Sequence, residues 1–412
     1  MGRSAARAGR SGAKVSATRN SAAAGITFIN ARVRGSKLGS LRVFGSKIVD
    51  LDSDPQSQDF VVDLQGDRLL PGLINAHDHL QLNTLPPHEP VDRYHHVQDW
   101  IAGVESRRKT DPLFAAKALV NVDDRLLIGG VKNLLSGATT VAHHDPFYPF
   151  LAGNEYPISV VRAYGWSHSL YIDGEEKTRA SYGSTPSVWP WIVHAAEGLN
   201  EDAGNEFERL DALGCLKSNT LLVHGIALDE SQRVRLDRAG AGLIWCPSSN
   251  MKLFGKTAEV AELVARKRVA LGTDSRLSGG RDLLDELRVA GQSSGLAEQS
   301  LEPLVTSDSA RLLRLCDRGS LQKGLRADLL VLPADASLSA ASRSDLRLVM
   351  VAGCVRYGDR DYAECAAPHG GWTDVLVDGT HKILDSRIAG LLSISRASEI
   401  GLEISNVRGR AA

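Results

Sequence analysis

Short apolar runs alternate with helix-patterned stretches through the middle of the chain. From about 71 to 317, the runs at 72–77, 138–143, 158–165, 190–194, 220–224, 242–246 and 268–273 read as buried strands. Between them the apolar spacing becomes helical. Asp229-Glu230-Ser231 opens one helix with acids in its first turn, and Gly240 follows its end. Arg281 to Ala290 places Leu283, Leu284, Leu287 and Ala290 on one face, a core-facing stripe. This alternation predicts a parallel α/β architecture. The seven runs are one short of an eight-stranded barrel, and the missing strand is expected within 166–189.

The two ends have a different texture. Ile26–Ile29, Leu41–Phe44, Lys47–Leu51 and Phe60–Leu64 are β-rich and punctuated by Gly and Ser, and the pattern returns at Ala327–Leu332 and Leu346–Gly353. Neither set closes a core alone. One small β domain built from 25–70 and 318–370, with 71–317 inserted, is the economical solution. Beyond it, 371–412 carries Leu384, Ile388, Leu391, Leu392 and Ile394 at helical spacing. A C-terminal helical tail is expected there, packed on the barrel or on a second subunit of a homodimer. Residues 1–24 hold Arg3, Arg7, Arg10, Lys14 and Arg19 and no acid, and lack the apolar centre of a secretory signal. They are expected to form a disordered tail.

Charge and cysteines narrow the function classes. Forty-eight basic residues against 49 acidic ones give a net charge of −1, which offers no footprint for nucleic acid or acidic lipid. The five cysteines form no Cys-x-x-Cys, as expected of reduced thiols in a cytoplasm. No apolar run approaches the roughly 20 residues of a membrane helix.

The candidate chemistry lies at the strand ends. In Pro71-Gly72-Leu73-Ile74-Asn75-Ala76-His77-Asp78-His79 two histidines one residue apart point the same way on a strand. Convergent imidazoles are half of a first-row metal site. His194, His224 and Asp274 likewise follow apolar runs and precede polar loops. In a (β/α)8 barrel the C-terminal strand ends carry function. The pattern is that of a metal-dependent hydrolase.

With Gly137-Ala138-Thr139-Thr140, His194-Ala195-Ala196-Glu197, His224-Gly225, Cys246-Pro247-Ser248-Ser249-Asn250, Gly272-Thr273-Asp274-Ser275 and Lys323-Gly324-Leu325-Arg326-Ala327-Asp328, the chain resembles the amidohydrolase superfamily from about 25 to 360. The similarity is to the branch holding cytosine and guanine deaminases and triazine hydrolases. It implies a (β/α)8 TIM-type barrel flanked by a composite β-sandwich. It also implies a single divalent ion, zinc or iron, held by His77, His79, His194 and Asp274, with a position left for water. Such an ion lowers the pKa of its water to about 7. Asp274 would take the water's proton, Glu197 would shuttle a proton to a ring nitrogen and then to the leaving group, and His224 would orient the hydroxide or steady the oxyanion.

The resemblance implies an aminohydrolase releasing ammonia from a small N-heterocycle. Alternatives are cyclic-amide opening, halide or amine displacement from a triazine, and a non-catalytic scaffold; the full set of candidate ligands argues against the last. Gln81 and Asn83 are candidate substrate donors, and Arg276 a candidate contact for an anionic group. One of His143 and His144 is expected to face the barrel mouth. The segment 86–109 reads as a lid. Lys177 lies in a charged run more like a solvated helix than a metal bridge, so a mononuclear site is expected. The interval between His144 and His194 is short for the family.

Overall fold

The protein, described by a computed structural model over residues 14–17, 25–34, 37–90, 92–366 and 370–404, is α/β. A twelve-stranded, largely antiparallel sheet draws on both chain ends. Its seam is the antiparallel pairing of Arg68–Pro71 with Leu329–Leu332, where Leu70 faces Leu330 across the ladder. Phe28, Leu41, Ile48 and Val62 from the first part pack with Leu329, Met350, Val355 and Ile383 from the second. Apolar side chains separated by hundreds of residues thus share one core, which is why neither end closes alone.

Two features differ from expectation. Lys14–Ala17, inside the segment expected to be a tail, pairs antiparallel with Phe60–Asp63, whose edge offers a free row of backbone groups; the rest of that segment lies outside the described residues. The C-terminal region is not simply helical. The helix Ser386–Ile394 is present, with Ile388, Ala389 and Leu392 buried. It is flanked by Trp372–Val377, Thr380–Asp385 and Leu402–Ile404, which extend the sheet. The tight turn at Asp378-Gly379, both at positive φ, makes a hairpin of the first two.

Eight parallel strands carry the middle of the chain. Leu73–Asp78, Ala138–His143 and Ser159–Val160 form one sheet. Gly165–Ser169, Trp191–Ala195, Thr220–His224, Gly242–Trp245 and Val269–Leu271 form the other. Of the run expected as one strand over 158–165 only Ser159–Val160 pairs, and Gly165–Ser169, which begins at its end, is the strand missing from the sequence pattern. The helix Leu170–Ser184 follows it, kinked at Gly174, with Lys177 exposed. The Thr273 N–H donates to the His77 carbonyl at 2.9 Å, so the end of the last strand meets the end of the first. Gly272 permits this approach, since a Cβ there would stand 2.6 Å from the His77 Cβ. Helices Glu230–Arg238, capped by Asp229, and Leu283–Ser294, capped by Asp282, match their sequence signals. No helix among the described residues is long and apolar enough to cross a membrane.

Candidate metal centre

Five side chains from four strand ends converge. His77 Nε2 and His79 Nε2 lie 4.0 and 3.8 Å from Asp274 Oδ1. His194 Nε2 lies 3.3 Å from His77 Nε2, and donor atoms of His77, His194 and His224 fall within 4.8 Å of one another. The backbone is strained to bring them there. His224 (φ 74°) and Asp274 (φ 53°) are left-handed, as is Ala196 (φ 54°) beside Glu197. Non-glycine residues in that region cluster at sites that need a particular side-chain direction.

Hydrogen bonds settle which ring nitrogen carries each proton, because carbonyls and carboxylates only accept. His194 Nδ1 donates to the His168 carbonyl at 2.7 Å. His79 Nδ1 donates to Asp145 Oδ2 at 2.7 Å, and His224 Nδ1 to Asn250 Oδ1 at 2.8 Å. His144 Nε2 donates to the Ser167 carbonyl at 2.9 Å, so its bare Nδ1 accepts from His77 Nδ1 at 3.2 Å. With Nδ1 spent on these bonds, the Nε2 atoms of His77, His194 and His224 are lone-pair donors turned inward. Two such lone pairs 3.3 Å apart, with no proton between them, repel unless a cation lies among them. The donor set, imidazole nitrogens with one carboxylate, suits a first-row divalent ion, and each imidazole has the outer partner that metal-ligating histidines need.

The electrostatics agree. Burial, reinforced by neighbouring imidazoles, holds His77 and His194 well below the usual histidine range, in the neutral form that ligates. Burial also opposes charge on His79, but Asp145, Asp274 and Asp78 outweigh it and push its pKa up to about 9. Until a cation binding there displaces it, a proton on His79 Nε2 thus faces Asp274. The carboxylate of Asp274 is fixed by Ser278 Oγ, donating at 2.6 Å, and by the Ser275 N–H at 2.8 Å. Burial, with Asp274 and Glu206 nearby, drives Glu197 well above the usual carboxylate range. Its Oε1 lies 3.6 Å from His224 Nε2.

A second layer went unseen in the sequence. Lys132, fully buried on the helix Val122–Leu135, donates from Nζ to Asp78 Oδ2 at 3.1 Å, Asn83 Oδ1 at 2.9 Å and Thr273 Oγ1 at 3.1 Å. It ties the loop after the first strand to the loop after the last. Asp145, next to His143-His144, was findable from its strand-end position; Lys132 carries no local signal.

A cavity of about 240 Å³ opens over the centre. His79, His194, Glu197, His224 and Asp274 reach it, as do Gln81, Asp145 and His168. Its apolar wall includes Val97, Trp100 and Ile101 of the helix Val97–Thr110, inside the expected lid. Two candidate contacts are corrected. Asn83 is buried in the Lys132 network, its Nδ2 on Asp78 Oδ1 at 2.9 Å. Arg276 is buried against Glu399 through two bonds of 2.9 and 2.6 Å. Neither lines the cavity, because buried ionic and amide groups are spent on each other. His143 and His144 do not line it either; His144 backs His77.

Residues 190–356 match the model of the amidohydrolase family. The family resemblance is borne out. Among curated proteins, the amidohydrolase-like chain is 27% identical to a 5-methylthioadenosine/S-adenosylhomocysteine deaminase of Halobacterium salinarum, covering 71% of this chain and 80% of that one. It is 31% identical to an 8-oxoguanine deaminase of Pseudomonas aeruginosa over 51% and 48% of the two chains. In fold it is similar to a zinc-bound adenosine deaminase of Xanthomonas campestris, with a TM-score of 0.66 at 20% identity over 81% and 92% of the chains. An atrazine chlorohydrolase of Arthrobacter aurescens, complexed with zinc and atraton, gives 0.64 at 18% identity over 83% and 99%.

Proposed function

We propose that this chain is a metal-dependent aminohydrolase that deaminates a small N-heterocycle, with one zinc ion held by His77, His79, His194 and Asp274. The observation that carries the reading is the convergence of the His77, His79, His194 and His224 ring nitrogens on Asp274, with Glu197 Oε1 3.6 Å from His224 Nε2. A divalent ion at that place supplies an acidified water as nucleophile at neutral pH. Asp274 accepts the proton of the attacking water. Glu197 delivers its own proton to a ring nitrogen, then takes up the proton left on the newly attached hydroxyl and passes it to the departing amine. His224, neutral through burial, orients the nucleophile or steadies charge on the attacked centre. Gln81 contacts the ring. The deaminase names of the relatives support this reaction class, and the two parallel sheets are read as two arcs of one (β/α)8 barrel.

The test is a screen of purines, pterins, pyrimidines and triazines for ammonia release by the zinc-loaded protein, with phosphate esters as controls. At least one aminated ring should release ammonia and no phosphate ester should react. Silence across the rings, with zinc loaded, would contradict the reading.

A further inference from the structure

The cavity over the centre has two kinds of wall. The strand ends supply imidazoles and carboxylates, whereas Leu82, Val97, Trp100, Ile101, Ile172 and Leu253 come from helices and turns beyond the strands. Val97, Trp100 and Ile101 stand at i, i+3 and i+4, one face of their helix. Ile101 is half-buried yet packs on none of the apolar cores of the described residues, and Ile172 is half-exposed. Large apolar side chains at a cavity wall gain by burial against a ligand. Backbone bonds fix this wall in place. The Val97 N–H donates to the Glu197 carbonyl at 3.1 Å, the Leu199 N–H to the His95 carbonyl at 2.8 Å, and the Tyr94 N–H to the Leu253 carbonyl at 2.9 Å. Gly198 permits the crossing, since a Cβ there would stand 2.8 Å from the His95 carbonyl oxygen. Of the six apolar residues only Trp100 has a polar side-chain atom, and its Nε1 is buried. Among the described residues, no arginine or lysine lines the cavity.

Resting on the aminohydrolase reading, we propose that the substrate is a neutral aminated ring bearing an alkyl or aryl substituent, which packs on Val97, Trp100, Ile101 and Ile172 while the amine end faces the metal centre. Against this wall the hydroxyls of a ribosyl group lose water and find no partner, which disfavours a nucleoside. A phosphate finds no cationic side chain to pair with. The pocket thus selects apolar-substituted bases over nucleosides and nucleotides, and Ile101 and Ile172 are its specificity residues.

The experiment uses full-length zinc-loaded protein in a Glu197→Gln background, so that ligands bind without turnover. Adenine, guanine and cytosine are each titrated calorimetrically beside the ring-N-butyl derivative and the nucleoside, which carry butyl and ribosyl on the same ring nitrogen. For at least one ring the butyl derivative should bind at least about tenfold tighter than the free base, the scale on which a hydrophobic pocket reads added methylenes. The nucleoside of that ring should bind no tighter than the free base. Ile101→Ser should collapse the butyl preference while free-base affinity and zinc content stay unchanged, and Ile101→Leu should keep it. Ile172→Ser, at a half-exposed position where folding is not at stake, should weaken the same preference. Butyl derivative and free base binding equally for every ring, no binding by any of these ligands, a nucleoside that outbinds its free base, or a preference that survives both serine variants would overturn the proposal. The butyl preference without ammonia release by the Glu197-containing protein would instead sink the aminohydrolase reading and leave this one standing. Ammonia released from a free base with no gain from butyl would do the reverse.

Discussion

Glu197 and a glutamine share a shape but not a transferable proton. Glu197→Gln should therefore lower turnover by about 10² or more while zinc content stays normal. Near-full activity on a good ring would remove the proton-shuttle role. Lys132 makes a different prediction. Lys132→Met leaves Asp78 buried without its cation, and breaking a buried pair costs about 3–5 kcal/mol. Denaturant unfolding of the metal-free protein should show that loss, and an unchanged midpoint would contradict it. At this scale the legible residues were those whose chemistry follows from strand position: His77, His79, His194, His224 and Asp274. Period-two geometry pairs His77 with His79, and the other three are marked by their place at the end of an apolar run, though His224 and Asp274 also need a left-handed backbone to point inward. Asn83 and Arg276 misled because sequence reveals a polar side chain near a site but not its competing partner. Arg276 stands two residues past Asp274, yet its partner Glu399 arrives from more than a hundred residues away.

Among the elements, the strands bearing the centre were readable because they are short, apolar and end in a polar loop. Ile158–Gly165 read as one apolar run, while only Ser159–Val160 pairs within it and its last residue, Gly165, opens the next strand. The C-terminal stripe revealed its helix but hid the strands around it, whose pairing depends on the sheet edge offered by Cys354–Gly358. That region is clamped to the centre. Glu399 bonds Arg276 and also pairs with Arg343 at 2.8 Å, and Arg343 bonds Asp282 at 2.6 Å. Burial raises the cost of charge on both acids, yet the two arginines hold Glu399 and Asp282 below the usual carboxylate range. A depressed folded pKa means the clamp stabilises above the unfolded value, near pH 4, and loses that contribution as pH falls further. Glu399→Gln should destabilise the protein at pH 7 and blunt its acid sensitivity below about pH 4. An unaltered pH–stability curve would show that the clamp carries no linkage.

Across the whole molecule, the joining of distant ends in one sheet was legible in outline, because neither end had strands enough for a core. Its extent was not, since Trp372–Val377 and Thr380–Asp385 belong to it as well. Truncation from Gly371 should therefore lower the melting temperature by removing sheet strands and the Glu399 clamp together; an unchanged melt would contradict that dependence. What the assembled molecule does is decided by its product. Mass spectrometry of a turned-over ring should show the amino nitrogen replaced by oxygen, with one ammonia released per product. Water added with the nitrogen retained would mean ring opening and would contradict the account.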